Sequence, residues 1–188
     1  KYYARGTDNI PHEWVASVKK CVADIASNFT TNRMLIDYEE RFYDKLAARK
    51  RKLSADSCLL AREIAAWKRK VSAAWDQVRA VDVERVKIDK EAVCVGEKYR
   101  FSVTVDIANL RPEDIGVEMV IARQIVGGQG VNVVRTIRLE RTRTDNNLVT
   151  YALDYTPDET GTFDVALRIY PCNPHLPHRM DFALVKWA

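Results

Sequence analysis

Between Trp14 and Val78 apolar side chains recur at steps of three and four; from Val83 to the end they recur at steps of two. The first period gathers apolar residues on one face of a helix, the second on one face of a strand. Trp14, Val15, Val18, Cys21, Val22 and Ile25 predict a first helix. Pro11 suits its start, because the N–H that proline lacks has no partner there. Glu13 in the first turn complements the helix dipole. Phe29-Thr30-Thr31 breaks the period, and either threonine can cap the next helix. Met34, Tyr38, Phe42 and Leu46 form a ladder of four-residue steps, the kind of ridge that seats in a neighbour's groove. Leu60, Ile64, Trp67, Val71, Trp75 and Val78 make a heptad-like seam. Ser54 can cap this stretch as a third helix, or the chain can run on as one long helix.

After Arg79-Ala80-Val81-Asp82 the pattern changes. Tyr99, Phe101, Val103, Val105 and Ile107 alternate with polar residues, as in a half-buried strand. Val117–Ile121, Val149–Tyr155 and Phe163–Ile169 repeat the pattern, and weaker candidates lie at 83–88, 133–141 and 181–187. Turn signals separate them at Val95-Gly96-Glu97, Arg111–Asp114, Gly127–Gly130, Asp145–Asn147 and Pro157–Gly161. About seven short strands with regular turns predict an antiparallel sandwich. Tyr155-Thr-Pro157 followed by Gly161 and Phe163 resembles the corner before the sixth strand of immunoglobulin-like domains. Phe163 lacks the hydroxyl of a tyrosine corner, and no inter-sheet cysteine pair is evident, so the likeness is to the wider class. The expected fold is α+β: an antiparallel helical hairpin or bundle over 1–80, then an all-β immunoglobulin-like sandwich over 81–188.

Charge supports a change of character near the same place. Residues 1–80 hold 16 Lys and Arg against 10 Asp and Glu, whereas 81–188 hold 14 against 16. The whole chain carries a mild net charge of +4. Arg49-Lys50-Arg51-Lys52 is its densest basic run. It reads as a solvated helix end favoured by the dipole, since no aromatics interleave with it to stack on bases; no nucleic-acid partner is expected. No apolar run reaches eighteen residues, so no membrane partner is expected either. Cys21, Cys58, Cys94 and Cys172 lie far apart and form no Cys-x-x-Cys pair, which predicts reduced, mostly buried thiols in a cytoplasmic protein.

Several segments carry a resemblance. Trp14-Val15 with Lys19, followed by Phe29 and Asn32-Arg33-Met34 before Tyr38, resembles the closing helices of glycogen and α-glucan phosphorylases. So does Ala61-Arg-Glu-Ile64-Ala-Ala-Trp67-Lys68. Leu110-Arg-Pro112-Glu113-Asp114-Ile115-Gly-Val117-Glu118 resembles a segment near the end of the bacterial enzymes. The tail, Leu167–Pro171, Asn173–Leu176 and Leu184–Ala188, resembles how those chains finish. The resemblance implies the C-terminal portion of a bacterial-type α-glucan phosphorylase. Such an enzyme moves a glucosyl unit between an α-1,4-glucan and phosphate and needs pyridoxal phosphate, held by a lysine in a glycine-rich segment upstream. The resemblance further implies that this piece is inactive alone, with the missing part of the parent chain as its partner and α-glucan as the parent's substrate. Homo-oligomerisation is left open. Trp14, Phe29, Arg33, Met34, Tyr38, Phe42 and Tyr43 are then packing residues at the junction.

No catalytic, cofactor-binding or metal-binding residue is assigned within the chain. Gly127-Gly128-Gln129-Gly130 lacks the strand–loop–helix setting of a phosphate cradle and reads as a hairpin loop. His175 and His178 sit in a proline-bounded loop without a third ligand. Ser17, Ser54 and Ser57 have no nucleophile-elbow context. Asp37, Glu39 and Glu40 fall on a helix surface, where acid–base work would need a cleft. A rival reading makes the strand half a carbohydrate- or protein-binding module with the helices as a dimerisation arm. Its sugar-stacking candidates are Tyr99, Tyr151, Tyr155, Tyr170 and Trp187, although most alternate in phase with Val and Leu, as core residues do.

Overall fold

The computed structural model describes residues 1–26, 28–86, 94–125 and 130–188, the side chains of 85, 86 and 180 excepted. Residues 127–129 of the glycine cluster and the end of the 83–88 strand candidate lie outside that description. Helix α1 spans His12–Cys21 and continues as a π-helical turn, Val22–Ala26. Thr30 caps α2 (Thr31–Tyr38): its Oγ1 accepts from the backbone N–H of Arg33 at 3.2 Å, which satisfies one of the free donors at the helix start. A second π-helical turn, Glu39–Tyr43, leads into α3 (Asp44–Ala74).

The chain does not run on past Ser54 as one unbroken helix. Directly after it α3 breaks: Ala55 is extended, and Asp56, Ser57 and Cys58 take φ of 48°, 55° and 63°. Left-handed backbone costs an ordinary L-residue roughly 1–2 kcal/mol, so this is a strained joint between two helical stretches.

The chain divides into two units, Lys1–Arg62 and Glu63–Ala188. In the first, no described side chain is buried. Its helices follow one another along the chain, and among the described residues no two separate helices pack closely side by side as the expected hairpin would. The ladder residues Met34, Tyr38, Phe42 and Leu46 are therefore exposed, as are Trp14, Val18, Val22 and Ile25; Phe29 is 76% exposed. Cys21, Cys58 and Cys94 are exposed too, and Cys172 half-buried, so the expectation of mostly buried thiols is corrected. Cys21 lies on the uncovered face of α1 and Cys58 in the left-handed joint, where no core exists to enclose them.

The second unit has a core. Among the described residues it holds the last turns of α3, a short 3₁₀ turn (Trp75–Gln77) and eight strands: β1 (Arg79–Val86), β2 (Tyr99–Asp106), β3 (Ile115–Gln124), β4 (Val131–Arg138), β5 (Glu140–Asp145), β6 (Leu148–Tyr155), β7 (Asp164–Pro171) and β8 (Lys186–Trp187). They form two antiparallel sheets with orders β1-β2-β6-β5 and β4-β3-β7-β8. One continuous core joins them: Val103, Val105 and Val149 from the first sheet meet Val117, Met119 and Ile169 from the second, and Trp67, Val71, Trp75 and Val78 close it. The change of period at Val83 is thus a change of secondary structure inside this unit. The single strand candidate at 133–141 is two strands in two different sheets. Leu139 is the pivot; its side chain is fully buried and its N–H reaches the Val117 carbonyl at 2.9 Å.

Candidate functional site

Three polar arrangements and one cleft stand out in the second unit. The first ties the end of α3 to the sheets. Pro112–Asp114 forms a 3₁₀ turn whose Asp114 side chain folds back on Arg111. Asp114 Oδ2 accepts from the Arg111 backbone N–H at 3.1 Å and from Nε at 3.4 Å, and Oδ1 accepts from Arg111 Nη2 at 3.2 Å. The same Oδ1 accepts from Trp67 Nε1 at 2.9 Å. Trp67 then meets Phe182 edge-to-face at 5.5 Å, and Lys68 bonds Asp181 at 2.9 Å. The Lys186 ammonium donates to the Asp76 and Val78 carbonyls at 3.0 and 2.7 Å. Two segments that stood out in the sequence for their resemblance, those around Trp67 and around Asp114, therefore meet through a buried hydrogen bond.

Burial works against the Asp114 charge, but the Arg111 and Trp67 donors outweigh it and hold the carboxyl below its ordinary value. Its native pKa is therefore lower than its unfolded one. The unfolded chain takes up the proton first, so this contribution to stability is complete above about pH 4 and lost as pH falls through the native value. Asp114→Asn is expected to flatten the acid limb of an unfolding-midpoint-versus-pH curve while lowering the midpoint at neutral pH.

The second arrangement is an ion cluster on the outer face of the β4-β3-β7-β8 sheet. Glu118, on β3, is only 3% exposed. Arg168 on β7 lies opposite it and donates through Nε at 2.6 Å and also through Nη2; Arg179 reaches its other oxygen. Two guanidiniums on one carboxylate satisfy a charge that burial alone would make costly. The sequence does carry a signal for this residue: Glu118 is the one charged position in the apolar run Ile115–Ile121. The third feature is Tyr151, whose hydroxyl points at the Pro112 and Ile115 carbonyls, each 3.4 Å away; burial pushes its pKa up to about 12.

The cleft, of about 830 Å³, opens at one end of the two sheets among Tyr99, Phe101, Met119, Tyr155 and Phe163. Its rim charges pair with each other: Arg135 with Asp158 at 3.0 Å and Arg123 with Glu159 at 3.0 Å. Arg123 also lies 4.5 Å over the Phe163 ring. Among the described residues its lining carries no pair of groups placed for acid–base or nucleophilic work.

The residues weighed in the sequence are scattered. Ser17 donates to the Glu13 carbonyl, as a helix-surface serine does. Asp37 pairs with Arg33 and Arg41 along one helix face. Ser57 is in the left-handed joint. His175 and His178 remain in the loop after β7, and among the described residues no group of three His, Cys, Asp or Glu is close enough to share a metal ion. Of the five stacking candidates, Tyr99 and Tyr151 are core, Tyr155 and Tyr170 are half-buried, and Trp187 is 59% exposed.

Residues 75–188 match the family described as glycogen phosphorylase C-terminal domain. The chain belongs to that family. Similarity to family members extends ahead of the matched region. The maltodextrin phosphorylase of Thermococcus litoralis is 30% identical over 93% of this chain, and the glycogen phosphorylase of Mycobacterium tuberculosis 26% identical over all of it. A glycogen phosphorylase from Aquifex aeolicus is 38% identical over 24% of the chain. The chain spans about a fifth of the length of the first two relatives, 20% and 22%. As a glycogen phosphorylase C-terminal domain, it contains both ends of the Trp67–Asp114 bond, although Trp67 precedes the matched residues. No helix is long and apolar enough to cross a membrane among the described residues.

Proposed function

We propose that this chain is the C-terminal part of a cytoplasmic α-glucan phosphorylase, and that its own role is structural: residues 1–62 pack against the part of the parent chain outside this sequence. One observation carries the reading. The helical unit is rich in large apolar residues, Trp14, Phe29, Tyr38, Phe42 and Tyr43 among them, and buries none of them. A soluble chain with so much open apolar surface needs a covering partner. The length of the relatives supplies one: about four-fifths of each lies outside the region this chain matches. Pyridoxal phosphate would supply the acid–base group of phosphorolysis in the parent enzyme. Three of the described lysines have fixed partners that do not fit its Schiff base. Lys68 and Lys98 are in ion pairs, Lys186 is held by two carbonyls, and neither the cleft of about 830 Å³ nor the smaller one beside Arg138 is lined by a described lysine.

The strand order supports an immunoglobulin-like reading of the second unit. Labelled A to G with an added C′, the sheets run A-B-E-D and C′-C-F-G, the arrangement of that class of sandwich. With only Trp187 well exposed among the five aromatics, a sugar-stacking platform has little to build on.

Incubated with glucan, phosphate and pyridoxal phosphate, the chain alone is expected to release no glucose 1-phosphate. Added to the remainder of its parent, it is expected to restore release. Activity of the chain by itself would refute the assignment. Retardation of the chain in a glycogen-containing gel, abolished by Trp187→Ala, would favour the sugar-binding alternative.

A further inference from the structure

The outer face of the β4-β3-β7-β8 sheet holds more positive charge than its ion cluster uses. Val117, Met119 and Ile121 point into the core, so Gly116, Glu118 and Val120 point away from it. Register then sets three side chains beside one another on that outer face: Tyr170 opposite Gly116, and Arg138 and Arg168 on either side of Glu118. Arg179 joins them from the turn Arg179–Phe182. Two guanidiniums thus bind one carboxylate, and a third, that of Arg138, stands in register beside it. Glu118 is saturated by Arg168 and Arg179. The four charges sum to +2, and Arg138 remains exposed.

Arg138 spends one N–H on the Cys172 sulfur at 3.5 Å. Among the described residues no carboxylate lies within ion-pair distance of it. Neighbouring acids are engaged elsewhere: Glu113 with Arg141, and Asp154 with Lys98 and Arg100. Glu140 shares a shallow cleft with Arg138 but forms no ion pair with it. Tyr170 is held in place by its neighbour. Its ring lies so close over Gly116 that a Cβ there would come within 2.6 Å of it. Its hydroxyl has no hydrogen-bond partner among the described residues. Burial raises the pKa of that phenol and Glu118 adds to the rise, whereas Arg138 and Arg179 pull it down.

We propose that Arg138, Arg179 and the Tyr170 hydroxyl form a binding site for a tetrahedral oxyanion, either inorganic phosphate or a phosphate monoester. The forked guanidinium donates two parallel N–H bonds to such a group, and a phosphate dianion matches the local excess of two charges. Arg168 is a positioning residue. It neutralises Glu118, and its guanidinium is 5.6 Å from the Trp187 ring. This site is independent of the parent enzyme's identity.

The test is a calorimetric titration of the chain with inorganic phosphate, and separately with a hexose phosphate, against sodium chloride at matched ionic strength. Saturable binding of at least one is expected. Arg138→Ala should weaken it about tenfold, the loss of charge-assisted hydrogen bonds, and Tyr170→Phe severalfold. Both variants should keep the wild-type circular dichroism and unfolding midpoint without ligand, since Arg138 is exposed and Tyr170→Phe removes only the hydroxyl. Tighter binding of the hexose phosphate would assign the site to an ester, and equal binding to the phosphate group alone; either supports the proposal. No saturable heat with either ligand, or an Arg138→Ala titration that overlays the wild type, would overturn it.

Discussion

Glu118→Ala is expected to destabilise the two-sheet unit by about 3–5 kcal/mol, the usual result of removing one partner from a buried ion cluster. The loss would come less from the attraction forgone than from the charges left behind. Arg168 is 17% exposed at its side chain and cannot move freely into water, whereas Arg179, at 37%, can turn outward in part. Glu118→Gln keeps the shape and some hydrogen bonding and should cost less. Replacing Glu118 and Arg168 together by apolar residues should cost less than the alanine alone, since a buried pair exchanged for packed apolar groups is often close to neutral. Urea unfolding measures all of these: the midpoint should fall while the slope stays constant. An unchanged midpoint for Glu118→Ala would mean that the cluster is solvated and carries no stability.

Trp67→Ala is the other large effect. It removes a buried aromatic from the junction of α3 with the sheets, for which about 3–5 kcal/mol is usual. It also takes a donor from Asp114. Trp67→Phe separates the two contributions, because it retains most of the packing and loses only the N–H. About 1–3 kcal/mol is expected for that hydrogen bond to a charged acceptor. Combined with Asp114→Asn, Trp67→Phe should be less than additive, since both changes act on one bond.

Much of the second unit was legible from the order of its residues. Strict alternation in Tyr99–Ile107 and Val149–Tyr155 marked β2 and β6, because each shows one face to the core and one to solvent. Strand β3 was harder to read: Gly116, Glu118 and Val120 are buried on its outer face as well, so polarity does not report exposure there. Sequence period alone also could not show that Leu139 carries the chain from one sheet to the other. The first unit shows the opposite limit. Its helical periods were plain, but an apolar stripe states only that something should cover it. The hairpin expectation supplied a cover from within the chain, and the structure leaves the stripe open. Among the polar residues, Asp114 lay within a recognisable segment, yet its partner Trp67 is 47 positions away. Nothing in local spacing joins the two.

Hydrogen–deuterium exchange across the chain by itself is the most direct measurement. Backbone amides in β2, β3, β6 and β7 should be protected to the level of global unfolding, while those of α1 and α2 should exchange as transient helices do, because neither helix has a buried side chain. Protection should spread into residues 12–54 only when the remainder of the parent chain is added. If α1 and α2 in the isolated chain exchange as slowly as β3, the helical unit is self-sufficient, and it needs no larger enzyme to complete it.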